Sequence, residues 1–393
     1  MPLEMGIPSN PELRGQRDAC GFASTAEAMA AVYECSGGAV PGAGSPGGFA
    51  PPLSTAILGE ARGPEPRGTG LPIGGLSPHD DYLYAGRVYR SVLPAIRAKT
   101  VIVLGVFHKY RLFAAPAGPL PAWERTPLVF DSYPAWRSPD GPIAISPLRE
   151  RLVEALPPGM ALVSNAMHDA EHSIEAVAYW LKHLNPDVEL VPILVSTATF
   201  PRLEVLSAAL ARAIAGCAGG VTAGSGSPGP ADRSRPGPAL GPELALVISS
   251  DAVHYGADFG YTAFDRAGKS GSPGGCIDTL AKVRGFDRGL LEGALAGHID
   301  HASARAFSEV CADPEDPTRY RHTWCGRFAV PFGLMLMSDL CAELGRPAPQ
   351  GWPVAYATTL DCPLPRSLER LGLGTTAPAE FGHFVGLPGA LYW

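Results

Sequence analysis

"VIVLGVFHKY", residues 101–110, is an apolar run that ends in a histidine where the chain should turn. Val, Ile and Leu in an unbroken run suit a strand covered on both faces, as in parallel sheets. Two further stretches share the form. "GGLSPHDDYLYAG", residues 74–86, places His79 just past an apolar segment, and "LALVISSDAVHYG", residues 244–256, places Asp251 and His254 past another. Parallel strands joined by right-handed crossovers share one carboxyl edge, where ligands of open α/β sheets sit. Chain direction alone therefore brings His79, His108, Asp251 and His254 to one rim.

The segments between these strands fit that frame. Helices are expected over Tyr84–Ala98, Pro147–Leu156 and Arg202–Ala215, and strands over Leu71–Leu76, Met160–Ser164 and Leu190–Val195. In "EHSIEAVAYWLKHL" the residues Ile174, Val177, Ala178 and Leu181 recur at the spacing of one helical face. The last third is less regular, with helices expected at Arg288–Ala296, His301–Val310 and Gly326–Leu344 and strands at Val354–Leu360 and Phe384–Leu391. The fold class expected is α/β, a mainly parallel central sheet with helices on both faces. Residues 71–393 read as one domain. Residues 1–70 read as a partly flexible N-terminal extension with a short helix near Thr25–Tyr33, and the Gly/Pro/Ser-rich run 216–242 as a surface insertion.

Composition narrows the function. With 393 residues, 46% of them hydrophobic and 18% charged, the chain can bury a large core. Its net charge of −7 comes without a block of Lys or Arg, which argues against nucleic acid. No apolar run is long enough to span a bilayer, and charges at Glu4, Glu12, Arg14, Arg17 and Asp18 interrupt any secretory leader. Eight scattered cysteines without a C-x-x-C pair suit reduced thiols in a cytoplasm. A small-molecule substrate or a protein partner remains, with the oligomeric state open. The chain has no G-x-S-x-G elbow, no phosphate-binding P-loop and no G-x-G-x-x-G turn after a strand.

Two histidines and a third anionic group make a metal site with open positions. Zinc, iron and copper are all open at such a site, since histidine is the commonest protein ligand for each. Cys325, in "RHTWCGRFAVPFGLMLM", is a candidate third ligand, because a following helix N-terminus and Arg327 would favour its thiolate. The alternative for Cys325 is a small buried hydrophobe, and for each histidine a loop residue with an ordinary partner. In "MHDAEHSIEA" Asp169 can cap the next helix with His172 closing the box, and His168 and Glu171 can be solvated. If that helix starts on the same rim, His172 is a proton carrier or supports the metal ligands.

The ordered motifs "SPHDDYLYAG", "VIVLGVFHKY", "DAEHSIEAVAYWL", "VELVPILVS", "VISSDAVHYG" and "WCGRFAVPFGLML" resemble the MEMO family, whose bacterial members are called AmmeMemoRadiSam system protein B. The resemblance covers roughly Gly70 to Trp393. It implies a fold like that of class III extradiol (LigB-like) dioxygenases and a mononuclear non-haem metal, with iron as the first expectation and copper or zinc as other occupants. It also implies His79, His108 and Cys325 as metal ligands, and Asp251, His254 and His172 as catalytic residues. The family's P-H-A-G-Y stands here as Pro78-His79-Asp80-Asp81-Tyr82, and its N-terminal Gly and aromatic motif is not read in residues 1–70. In the dioxygenase relatives a carboxylate stands where this chain offers a thiolate. The function implied is a metal-dependent dioxygenase or redox enzyme; a metal-binding or partner-docking protein without catalysis is the alternative.

Overall fold

The computed structural model describes residues 6–37, 70–113, 123–217, 237–264, 273–361 and 363–393. Most of the run expected to be a surface insertion lies outside these, as do residues 38–69. Four strands form a parallel centre: β1 (Gly74–Ser77), β2 (Thr100–Val106), β7 (Glu189–Val195) and β8 (Leu244–Ser249). Their order is β1-β8-β2-β7, every neighbouring pair parallel. The register sets Ser77 beside Ser249 and Leu104 beside Ile248, so the three chains bearing the rim residues end at nearly one level.

The flanks depart from the parallel expectation. β12 (His383–Tyr392) lies antiparallel against β1, followed by antiparallel β11 (Gln350–Thr358) and the two-residue β10 (Gly297–His298). On the other side β3 (Leu128–Phe130) meets β7 antiparallel and carries β6 (Ala161–Val163). The short strands β4 (Ala135–Trp136), β5 (Ile143–Ile145) and β9 (His254–Gly256) bring the described sheet to twelve strands. The whole is a mixed α/β sheet with a parallel heart.

Side chains of the central strands alternate between two cores, as the period of two requires. Ile102, Leu104 and Val106 of β2 enter one core, and Val101 and Val103 the other. The first lies beneath α3 (Leu148–Ala155), α6 (Phe200–Cys217), α8 (His301–Cys311) and α9 (Ala329–Glu343). α9 is apolar on nearly every side because it is wedged between the sheet and α6 and α8. The second core lies beneath α1 (Ala26–Gly37), α2 (Tyr82–Val92) and α5 (Glu175–Leu184), where Val177, Ala178 and Leu181 are buried as the periodicity predicts. The helix expected at Arg288–Ala296 is the end of a longer one, α7 (Pro273–Glu292), which stops before Gly293. No described helix is long and apolar enough to cross a membrane.

Residues 6–37 are tied closely into the main body. Arg14 is fully buried, with its guanidinium 4.1 Å over the Trp136 ring. It donates to Glu175 at 2.5 Å and to the carbonyls of His168 and Glu171 at 2.8 and 2.7 Å. The backbone N–H groups of Arg17 and Asp18 donate to the same Glu175 carboxylate.

Candidate metal centre

His79 lies two residues past β1, His108 two past β2 and Asp251 two past β8, so adjacent parallel strands deliver all three to one edge. His172 comes from the loop between α4 (Asn165–Asp169) and α5, and Cys325 from the turn that precedes α9. An isolated bridge between Val253 and Trp324 brings that turn against the Asp251 segment. The His79 and His108 rings stand 5.2 Å apart nearly edge-on, and His172 stacks on His108 at 5.4 Å.

Hydrogen bonds fix which nitrogen each ring presents. Ser249 Oγ donates to the Ser173 carbonyl at 2.5 Å, so it accepts from His79 Nδ1 at 2.9 Å. The lone pair of His79 is then on Nε2, facing Cys325 Sγ at 3.5 Å and Asp251 Oδ2 at 3.4 Å. Burial, reinforced by the charges of His108 and His172, holds the His79 pKa well below its ordinary value, so the ring stays neutral with Nε2 able to accept. His108 Nδ1 lies 2.9 Å from Glu171 Oε1, and its backbone N–H donates to Oε2 at 2.7 Å. A carboxylate behind one ring nitrogen leaves the other free to bind a metal.

Burial would raise the pKa of Glu171, but His108, His172 and the hydrogen bonds outweigh it and drive the carboxyl well below its usual range. Burial also opposes charge on His108, and there Glu171 prevails and raises the pKa. Asp251 is pushed up to about 7 by burial, although its Oδ1 accepts from the His79 backbone at 2.9 Å. His254 is lowered to about 4, by burial and then by His108.

Two overlapping triads result: His79 with His108 and His172, and His79 with Asp251 and Cys325. Within each, the donor atoms all lie within 4.8 Å of one another. His79 belongs to both, whereas His108 and Cys325 fall in different ones. Ligand distances of about 2.1 Å for nitrogen and 2.3 Å for sulfur at a tetrahedral angle put the two atoms about 3.6 Å apart. The His79–Cys325 separation of 3.5 Å matches this. The donor set therefore fits a borderline divalent cation. His254 belongs to neither triad: its Nδ1 donates to the Ala252 carbonyl at 3.2 Å and its ring meets Phe259.

Residues 54–222 match the Memo-like protein family. The Memo-like match runs from before β1 to the end of α6 and includes His79, His108 and His172, while Asp251, His254 and Cys325 lie beyond it. No curated protein matches the chain.

Several local expectations are corrected. The α9 helix begins at Ala329, four residues after Cys325, and Arg327 stacks on Tyr320 at 3.6 Å and donates to the Pro317 carbonyl. Neither supports a thiolate; burial and then Asp251 push the Cys325 thiol well up, with Ser250 and the Asp251 N–H opposing. A bound cation would have to displace that proton. Asp169 does not cap α5, which starts at Glu175; its carboxylate instead accepts from Ser9 and Tyr133. His168 and Glu171 are buried rather than solvated.

Other contributors were not foreseen. Ser249, Ser173 and Glu171 orient the two strand-end histidines, and the only signal for them was their adjacency to rim motifs. Phe22 packs 6.1 Å from the His172 ring, and Gly21 lies against the Asp81 carboxylate, where a Cβ would sit 1.9 Å from Oδ1. A glycine and an aromatic thus reach the site from the segment read as an extension. Asp81 turns to Thr376, accepting from its N–H at 2.6 Å and its hydroxyl at 3.1 Å. Burial lifts its pKa to about 7.

Proposed function

We propose that the rim binds one metal ion, iron first with copper or zinc as other occupants, and that the chain as a whole is a MEMO-like, AmmeMemoRadiSam B-type protein acting as a non-haem redox enzyme. The single observation that carries this reading is His79 Nε2, stripped of its proton by the Ser249 contact and aimed at a thiol and a carboxylate 3.5 and 3.4 Å away. When bound, such a metal supplies Lewis acidity and electron transfer to a small molecule. His79, His108 and Cys325 would hold it. Asp251, with its pKa near 7, would hold or release a proton at Oδ2, and His254 would carry protons on its free Nε2. His172 would press the His108 ring into place.

A thiol in the ligand set favours a second reading, sequestration of a soft ion such as copper without catalysis. Elemental analysis of protein loaded under reducing conditions and then dialysed tests the site itself. Near-stoichiometric metal in the wild type, with loss in His79→Ala and Cys325→Ala, is expected; full retention in both variants would overturn the assignment. Oxygen uptake by the iron-loaded protein with a panel of catechols then separates redox catalysis from sequestration.

A further inference from the structure

A second buried polar network, which shares no residue with the two triads, meets the rim segments at Val253 and Trp324. The Asp287 carboxylate of α7 is fully buried. Its Oδ1 accepts from His322 Nε2 and Trp324 Nε1, both at 2.7 Å, and its Oδ2 from the Tyr356 hydroxyl at 2.7 Å. His322, which packs its ring edge against this carboxylate, is only 1% exposed. With Nε2–H committed to the carboxylate, His322 Nδ1 is an acceptor, and the hydroxyl of Tyr261 stands 2.7 Å from it. Gly386 makes room for the arrangement, since a Cβ there would lie 2.6 Å from Asp287 Oδ2.

We propose that Tyr261, backed by His322 and Asp287, is a one-electron redox site. Imidazole is ordinarily a better base than a carboxylate by about two pKa units. Tyr133 and Tyr356 face carboxylates, and Tyr82, Tyr84 and Tyr89 donate to backbone carbonyls. Tyr261 faces a base able to take its proton. In the step, an outer-sphere one-electron oxidant removes one electron from the phenol and is itself reduced by one. The O–H bond breaks, the proton crosses to Nδ1, and the imidazolium so formed rests against Asp287, leaving a neutral tyrosyl radical. One electron from a reductant and the same proton restore the phenol.

The surroundings suit this chemistry. Tyr261 is only half-buried, so an oxidant can approach, and its backbone is pinned to Gly256 by reciprocal hydrogen bonds of 2.9 and 3.1 Å. Tyr255 stands edge-on at 6.2 Å and Phe286 covers His322 at 4.4 Å. The inference does not rest on a metal at the rim.

Stopped-flow oxidation of the metal-free full chain by hexachloroiridate(IV), with freeze-quench electron paramagnetic resonance, tests it. A tyrosyl signal is expected in the wild type and its loss in Tyr261→Phe. His322→Gln keeps a donor for Asp287 and an acceptor for Tyr261 but removes the base, so oxidation should slow about a hundredfold, as loss of a positioned base does. A purely structural role would leave the His322→Gln rate unchanged, and that result, or an undiminished radical in Tyr261→Phe, overturns the proposal. Should His322→Gln not fold, the wild-type rate in deuterium oxide decides, because the proton moves with the electron; equal rates in the two solvents would overturn it.

Discussion

Glu171 grips His108 twice, accepting from the ring at 2.9 Å and from the backbone at 2.7 Å. One carboxylate thereby sets both the rotamer and the tautomer of a strand-end histidine. Glu171→Gln keeps the shape and removes the charge. Metal affinity should fall about 10- to 100-fold, the usual effect of losing such a support. Competition with a chromophoric chelator measures this, and an unchanged affinity would show that His108 is oriented by something else.

Gly105 lies in β2 where the His172 loop crosses it. A Cβ there would stand 2.5 Å from Ile174 Cγ1 and 2.8 Å from Ser173 Oγ. Gly105→Ala should destabilise the fold by about 1–3 kcal/mol through overpacking. It should also shift the Ser173 carbonyl that Ser249 uses to orient His79. Urea unfolding and metal titration of the same variant should both register the change.

Arg14 and Glu175 form a fully buried ion pair between the N-terminal segment and α5. Arg14→Met leaves the carboxylate without its cation and should cost about 3–5 kcal/mol. The double variant Arg14→Met/Glu175→Met should recover most of that loss, because no unpaired charge then remains. A double-mutant cycle by urea denaturation checks the recovery.

His254 links stability to pH. Its folded pKa of about 4, against an ordinary 6.5, means that the unfolded chain binds more protons between those values. Its stability contribution is complete above pH 6.5 and is lost as pH falls towards 4. His254→Gln should flatten the decline in urea midpoint over this window. An unaltered pH slope would mean that the ring charges as readily folded as unfolded.

Much of the parallel centre was legible because long Val/Ile/Leu runs such as 101–106 and 244–249 have few alternatives to a buried strand. The strands β3, β4, β5, β9 and β10 were not, since two or three residues carry no measurable period. The antiparallel seat of β12 was equally hidden, because strand pairing depends on partners three hundred residues apart. At the rim, the direction of the strands sufficed to gather His79, His108 and Asp251. Burial was the missing quantity elsewhere: Glu171 and His168 look like solvated polar residues until the guanidinium of Arg14 is seen on the carbonyls beside them. Cys325 misled in the opposite sense, as its supposed helix dipole begins four residues too late.

The place of β12 bears on how the centre forms during synthesis. This strand separates β1 from β11 and braces the turn after Asp251 through hydrogen bonds between Gly386 and residues 252 and 253. A nascent chain that has already released His79 and His108 from the ribosome still lacks the wall that steadies the acidic arm of the cradle. The rim is therefore completed late, once translation has passed residue 386 and the turn after Asp251 can be braced.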